Sequence, residues 1–170
     1  HIAIECPYRE RLDCLSKVLN YYGGTGRIIV FTSTKADANA LLLSDKITHD
    51  VECMHGDIAQ NQREVTIKRF KDAKFQVLVA TDVASRGLDI PNVELVIQIE
   101  PPKDTESYIH RSGRTARAGK SGTCITFYNH SNVEFLHRIE DLAGIKMDKP
   151  GIPSDQDMLK AKTKEVLVKL

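Results

Sequence analysis

Residues 27–33 read RIIVFTS, and the run contains five successive β-branched or aromatic residues. It does not alternate between apolar and polar side chains, which is typical of a strand that is buried on both faces. The sequence therefore predicts a sheet that is covered on both sides. Four further runs also predict strands: VECMH (51–55), QVLVAT (76–81), ELVIQIE (94–100) and TCITFYN (123–129). HIAIEC at the start is another candidate strand.

Amphipathic stretches lie between these runs and predict helices. In YRERLDCLSKVLNYY (8–22), the apolar residues Leu12, Leu15, Val18 and Leu19 fall on one face. Alternation of strands and helices predicts an α/β fold with a mostly parallel sheet, whose ligands bind beyond the carboxyl ends of the strands. The other predicted helices are TKADANALLLSDKI (34–47), QNQREVTIKRFKD (60–72), DTESYIHRSGR with an Asp cap, and SNVEFLHRIEDLAG (131–144) with a Ser cap and a stop at Gly144.

The pattern of apolar strands and amphipathic helices ends at Gly144. We therefore expect one domain over 1–144 and a linker with a C-terminal helix over 145–170. IKMDKPGIPSDQD is polar and carries two prolines, whereas DQDMLKAKTKEVLVKL has a helical pattern. That last helix packs on the core of this domain or extends to further domains or to a second copy, which would make a homodimer. A start at His1 without methionine favours a piece of a longer protein.

The composition excludes several classes of protein. The chain has 170 residues with 41% apolar residues, a net charge of +1 and no apolar run of membrane-spanning length. Any affinity for nucleic acid must therefore come from local clusters of charge. The four cysteines form no C-x-x-C pair, which favours reduced thiols in the cytosol or nucleus and predicts no metal site.

Two loops after predicted strands are rich in polar residues that a fold does not require. HGDIAQNQR (55–63) carries Gly56, Gln60 and Arg63, and TDVASRGLDIP (81–91) offers a hydroxyl, a guanidinium, a glycine and two carboxylates. Such groups can form turns and an internal salt bridge, or they can contact phosphates and ribose hydroxyls. In a parallel sheet both loops emerge at the same edge.

HRSGRTARAGKS (110–121) places three arginines at three-residue intervals, and no carboxylate occurs between Glu106 and Glu134. On a helix, Arg111, Arg114 and Arg117 would fall within an arc of roughly 120°. Guanidinium groups match phosphate oxygens in pairs, although a solvated basic face has the same composition. The Gly-Lys-Ser ending is not a P-loop, because its glycines are one residue too far apart and the segment precedes a strand.

In this order, VFTSTK, HGDIAQNQR, VATDVASRGLDIP and YIHRSGRTARAG resemble motif IV, the Gln-x-x-Arg element, motif V and motif VI of DEAD-box RNA helicases. The similarity runs from about residue 1 to residue 130. PPKDTESYIHRSGRTARAG and AGIKMDKPGIPS look most like the nucleolar Gu-type subgroup. The resemblance implies the second RecA-like domain, a three-layer α/β sandwich. Ala116 departs from the family, which usually has glycine there; this matters little if the backbone at that position is helical.

The resemblance also implies roles for individual residues. The first RecA-like domain would hold ATP with Mg²⁺, and Arg114 and Arg117 would act as arginine fingers on its phosphates. Nothing in these 170 residues matches the P-loop and Asp-Glu-Ala-Asp box of that first domain, so we expect the isolated chain to be inactive. The other implied site residues are Gly87, Asp89, His110 and Arg111 for the nucleotide and the first domain, and Thr34, Gly56, Gln60, Arg63 and Thr81 for the RNA.

The implied function is local, sequence-tolerant RNA duplex unwinding coupled to ATP hydrolysis, with ribosomal RNA processing in the nucleolus as the expected setting. The cytoplasm or an organelle is the alternative location. Two other functions stay open on the sequence: an RNA-binding or protein-docking module, and a DNA translocase of the same superfamily. YIHR before SGRTARAG favours the DEAD-box pattern over the translocase pattern.

Overall fold

The computed structural model describes residues 1–82, 88, 90–116 and 122–160. In these residues the strands form a single six-stranded sheet in the order β1-β6-β5-β2-β4-β3, and every pairing is parallel. All the predicted strands are confirmed, including the candidate at the start. The strands are β1 (Ile2–Glu5), β2 (Ile28–Phe31), β3 (Val51–Met54), β4 (Val77–Ala80), β5 (Leu95–Gln98) and β6 (Thr123–Tyr128).

Helices cover both faces of this sheet, as the continuous apolar strands predict. In β2, Ile28 and Val30 face the layer that contains α1 and α2, whereas Ile29 and Phe31 face the layer that contains α3, α4 and α5. The fold is thus a three-layer α/β sandwich. A 3₁₀ turn at Tyr8–Glu10 precedes the helices α1 (Arg11–Tyr22), α2 (Lys35–Leu43), α3 (Gln60–Lys71), α4 (Thr105–Ser112) and α5 (Val133–Ala143), and residues 155–160 are also helical.

Two helix ends differ from the sequence prediction. Helix α2 ends at Leu43, short of 47, because Ser44 is extended and its hydroxyl accepts a hydrogen bond from the Lys46 N–H at 3.2 Å. The prediction that Ser131 caps α5 is wrong. Asn129 and Asn132 form the turn before α5, in which the Ser131 N–H donates to the Asn129 side chain at 2.8 Å. Gly144 ends α5 in the left-handed conformation, as predicted.

The segment after Gly144 lies against the edge of the sheet. Met147 is buried in the core, and Asp148 pairs beside β1: its carbonyl accepts from the Ala3 N–H at 2.7 Å, and its N–H donates to the His1 carbonyl at 3.0 Å. The first four or five residues of the expected linker are therefore attached to the folded unit. The domain boundary at Gly144 stays a prediction, and residues 161–170 lie outside the described residues.

Candidate nucleic-acid and nucleotide interface

Three of the residues predicted to bind RNA follow neighbouring strands. Thr34 follows β2, Thr81 follows β4 and Gly56 follows β3, and β4 lies between the other two strands. The Thr81 N–H donates to the Met54 carbonyl at 3.2 Å, which continues the ladder just past the strand ends. Because the sheet is parallel, the structure brings these three positions to one edge.

An ion pair joins two of these loops. Lys35, the first residue of α2, donates through its Nζ to the Asp57 Oδ2 at 2.6 Å. This hydrogen bond holds the pKa of the Asp57 carboxyl below its usual value. Thr34 is the N-cap of α2, since its hydroxyl accepts a hydrogen bond from the Asp37 N–H at 3.2 Å. The exposed backbone around Thr34 is therefore fixed beside the Gly56 turn.

The loop after β3 leads into α3, which carries Gln60 and Arg63 on its first turn. The loop closes on itself, because the Ile58 N–H donates to the His55 carbonyl at 3.1 Å. Ala59 offers no side-chain cap to α3. Gln60 is exposed, whereas Arg63 is partly buried. Within α3 the Gln62 N–H donates to the Asn61 Oδ1 at 2.9 Å. The first turn of α3 thus places a guanidinium on the side of the Gly56 turn.

Two predicted RNA-binding residues carry buried polar atoms that lack a partner. The Arg63 Nε and the Thr81 Oγ1 are shielded from solvent, yet neither has a hydrogen-bond partner among the described residues. A buried polar group left without a partner costs about 1–3 kcal/mol, so folded proteins rarely keep one without reason. Both atoms lie at the same edge of the sheet, and the arrangement fits a polar ligand that would complete their hydrogen bonds.

Arg111, on the inner side of α4, is an internal ion-pair residue. Its Nε and Nη2 donate to the two Asp82 carboxylate oxygens at 2.8 and 2.6 Å, and its Nη1 donates to the Gln98 Oε1 at 3.2 Å. The guanidinium also lies over the Phe31 ring, and the residue is only 5% exposed. Bidentate pairing of this kind fixes the plane of the guanidinium.

Arg114 lies in the turn after α4, so the helical arc that would unite all three arginines ends at Ser112. The backbone of this turn is attached to the segment before β5. The Val93 N–H donates to the Arg114 carbonyl at 3.0 Å, and the Thr115 hydroxyl donates to the Val93 carbonyl. These contacts add to the hydrogen bond from the Arg114 N–H to the Arg111 carbonyl at 3.3 Å, so the backbone at Arg114 is attached both to α4 and to the segment before β5.

Ala116 adopts the left-handed conformation, with φ of 57°. The departure from glycine would matter little only if the backbone were helical, and that condition is not met. Left-handed backbone favours glycine, because the Cβ of other residues approaches the following carbonyl. The turn is also closely packed, since a Cβ on Gly122 would lie 2.0 Å from the Thr115 hydroxyl.

The remaining predicted nucleotide-site residues divide into two groups. His110 is exposed on α4, with its Nε2 3.9 Å from the Glu106 carboxylate one turn earlier. Gly87, Asp89 and Arg117 lie outside the described residues.

Two important residues were missed or misassigned by the sequence reasoning. Gln98 is buried in β5, and the available signal was a single amide residue within the apolar run LVIQI. Asp82 was considered for a salt bridge within its own loop, but its partner is Arg111. Asp82 lines a polar cleft of about 530 Å³ at the carboxyl ends of the strands. Gln98 lies behind this cleft, where it is bonded to Arg111. The cleft is lined by Ser33, Thr34, Asp82, Glu100, Lys103 and Arg111, among others.

The described residues contain no group of three or more His, Cys, Asp or Glu side chains that could hold a metal ion. Over the same part of the chain, no helix has the length and hydropathy needed to cross a membrane.

Comparison with known proteins places the chain in a family. The family model of the helicase conserved C-terminal domain matches residues 10–119. Nucleolar RNA helicase 2 of Rattus norvegicus is 50% identical over 98% of this chain, which covers 22% of that protein. ATP-dependent RNA helicase DDX50 of Homo sapiens is 48% identical over 98% of this chain and 23% of that protein. The chain therefore spans less than a quarter of the length of these two relatives.

A solved structure of S. cerevisiae Dbp5 bound to RNA and ADP BeF3 superposes with a TM-score of 0.83 and 31% identity. The alignment covers 98% of this chain and 45% of that chain. The family model thus matches more than half of the chain, and the relatives align with nearly all of it. This chain belongs to the helicase conserved C-terminal domain family and is the C-terminal RecA-like domain of a DEAD-box RNA helicase.

Proposed function

We propose that this domain is one half of an ATP-dependent RNA helicase. It contributes sugar-phosphate contacts to RNA and arginine fingers to ATP hydrolysis, and it works with an N-terminal RecA-like domain of the same protein. Two findings support the proposal: the relatives are named RNA helicases, and the similar Dbp5 structure is bound to RNA and ADP BeF3.

The RNA side of the proposal depends on the two orphaned polar atoms. Arg63 Nε and Thr81 Oγ1 lie at the edge where Thr34 and Gly56 also emerge. We assign these residues, with Gln60, to the RNA backbone. Phosphate and ribose contacts carry no base information, so binding should be tolerant of sequence, with the 2′-hydroxyl separating RNA from DNA.

On the nucleotide side, the chemistry of the donors fits a triphosphate. Arg114 carries a guanidinium group and lies on a turn whose backbone is bonded to Val93. His110 is exposed on α4, four residues earlier. We assign Arg114 and Arg117 to the charge that develops on the transferring phosphoryl group, and Gly87 and Asp89 to the nucleotide. The Arg111 charge is already matched by Asp82, so we assign Arg111 to holding α4 in place. When bound to the first domain, ATP with Mg²⁺ supplies the phosphoryl group that is transferred to water.

In the proposed cycle, this domain closes on the first domain while both hold RNA. The Thr34, Gly56 and Thr81 loops keep one strand in a bent path that a duplex cannot follow, so the strands separate locally. Binding energy opens the duplex, and hydrolysis releases the closed state. By itself the chain lacks the first domain's residues, so residues 1–170 alone should show no RNA-stimulated hydrolysis.

We place the protein in the nucleus, at the nucleolus, with ribosomal RNA processing as its setting, because relatives carry the name nucleolar RNA helicase. A homodimer through the C-terminal extension is a further proposal. Light scattering on two chains that end at Ser154 and at Leu170 would test it. Ser154 is the better cut because Met147 and Asp148 belong to the folded unit. Identical monomers would refute the dimer.

The RNA assignment is tested with two arginines of α3 in the full-length protein. Arg63→Gln should weaken the binding of two unrelated single-stranded RNAs equally and lower the slope of log K against log salt by about 0.7. Arg69→Gln is the matched control, since it removes the same charge from the same helix. The Arg69 guanidinium instead pairs with Glu52 at 2.9 Å.

Arg69→Gln should leave the salt slope unchanged. Equal losses in both variants would mean that only general charge matters at α3. A change in base preference in Arg63→Gln would contradict the backbone assignment.

A further inference from the structure

A buried polar network joins β5 and β6 to α4. The Gln98 side chain is fully buried: its Oε1 accepts from the Arg111 Nη1 at 3.2 Å, and its Nε2 donates to the Thr126 Oγ1 at 3.1 Å. The same Nε2 lies 3.6 Å from the Cys124 Sγ. One amide therefore spans from the sheet to the guanidinium that holds Asp82.

A second connection attaches the same helix one turn earlier. Tyr108 is 1% exposed, and its hydroxyl lies 2.6 Å from the His1 Nδ1. Tyr108 and Cys124 belong to the same buried core. Burial raises the pKa of the Cys124 thiol to about 11, so this group stays neutral near pH 7. Residues three apart on a helix share a face, so Tyr108 and Arg111 fix α4 at two points.

An amide at Gln98 is not what burial alone would select. The neighbouring residues of β5 are Leu95, Val96 and Ile97, and an apolar side chain at 98 would pack without needing partners. The amide instead supplies the acceptor for the third hydrogen bond of Arg111. This bond adds a third restraint to the guanidinium plane that the two Asp82 bonds already define, and it holds that plane against the sheet.

Two functional segments depend on that geometry. Asp82 directly follows Thr81, and the sequence after it contains Gly87 and Asp89. Arg111 is the next-to-last residue of α4, after which the turn with Arg114 begins. The Asp82–Arg111 ion pair thus connects the residue that follows Thr81 to the C-terminal end of α4, just before Arg114.

We propose that Gln98 is a positioning residue for hydrolysis: through Arg111 it fixes the spacing between the loop after β4 and the Arg114 turn. The proposal rests on the proposed function. Gln98 touches neither nucleotide nor RNA, so its loss should act on turnover and not on substrate affinity.

The test uses the full-length protein and measures turnover and KM for ATP at saturating RNA. Gln98→Met conserves side-chain volume and removes both hydrogen bonds, and it should lower kcat about tenfold with KM changed less than about twofold, as expected for a misplaced catalytic group. Gln98→Glu keeps an oxygen for Arg111 and should restore kcat to within about threefold of the parent.

Thr126→Val is the control, because it removes the other partner of Gln98 and leaves Arg111 untouched. It should lower the thermal unfolding temperature but keep kcat within about twofold of the parent. If Gln98→Met does not fold, Gln98→Asn replaces it, since the shorter amide cannot span both partners. The same thresholds then apply.

A kcat close to that of the parent in Gln98→Met, or in Gln98→Asn if that variant replaces it, would overturn the positioning role. An equal loss of kcat in Thr126→Val would overturn it as well. An inactive parent would overturn both this proposal and the proposed function. An active parent with an active Gln98→Met would overturn only this one.

Discussion

Arg111 and Arg114 are three positions apart, yet their surroundings differ completely. Arg111 is on the buried side of α4, 5% exposed, with its charge matched by Asp82. Arg114 lies beyond the end of the helix, on a turn whose backbone is bonded to Val93. The spacing in HRSGRTARAGKS suggested one set of equivalent phosphate ligands, but the structure divides that set.

The division shows how a basic motif can serve two purposes. A guanidinium already bonded to a carboxylate and an amide gains little from an added phosphate, whereas it gives rigidity to the helix that carries it. Arg114 lies on a turn whose backbone and Thr115 hydroxyl are bonded to Val93. The comparison therefore predicts that Arg111 contributes mainly to stability and Arg114 mainly to catalysis.

The largest expected effect is on catalysis. In the full-length protein, Arg114→Lys and Arg117→Lys each keep a positive charge but lose the planar fork that grips two oxygens. Hydrolysis should fall on the order of 10³-fold, or about 4 kcal/mol, with little change in ATP affinity. Turnover at saturating RNA and ATP is measured beside nucleotide binding. Near-normal turnover in both variants would make this segment a solvated basic face.

The second effect is on stability and belongs to Arg111. Arg111→Met leaves the Asp82 carboxylate without its guanidinium; breaking a buried pair in this way costs about 3–5 kcal/mol. Because the Asp82 side chain is 34% exposed, water should reduce the loss. We expect about 2–3 kcal/mol in urea unfolding of residues 1–170, after that discount for exposure.

Arg114→Met is the comparison for this measurement, and as a partly exposed turn residue it should cost less than about 1 kcal/mol. Equal losses in the two variants would contradict the division between the buried and the anchored arginine.

The sequence predicts much of this architecture for a simple reason: a strand buried on both faces is apolar along its length, and the central strands β2 and β4 are apolar and buried throughout. The environment of Arg111 could not be predicted in the same way. Its partners Asp82 and Gln98 are 29 and 13 residues away, and only the crossovers of the sheet bring them together. Ser131 failed as a cap because Asn129 and Asn132 compete for the same turn.

A smaller effect contrasts two buried threonines, each 7% exposed. The Thr115 hydroxyl donates to the Val93 carbonyl, whereas the Thr81 hydroxyl has no partner among the described residues. Thr115→Val should cost about 1–3 kcal/mol in urea unfolding, because a buried carbonyl loses its donor. Thr81→Val should cost nothing without RNA, while weakening RNA binding. A clear loss of stability in Thr81→Val would remove its orphaned hydroxyl from the RNA argument.

The smallest effect concerns the backbone of the arginine turn. Ala116 has φ of 57°, and Ala73, after α3, has φ of 56°; both are exposed. Glycine relieves the left-handed strain of about 1–2 kcal/mol but gains entropy in the unfolded chain, so each Ala→Gly change should stabilise the domain by about 0.5–1 kcal/mol. Ala73→Gly is the matched control, far from the arginines in sequence. If Ala116→Gly also slows hydrolysis while Ala73→Gly does not, Ala116 restrains the backbone next to Arg114. A loss of stability in Ala116→Gly would contradict the left-handed conformation of this residue.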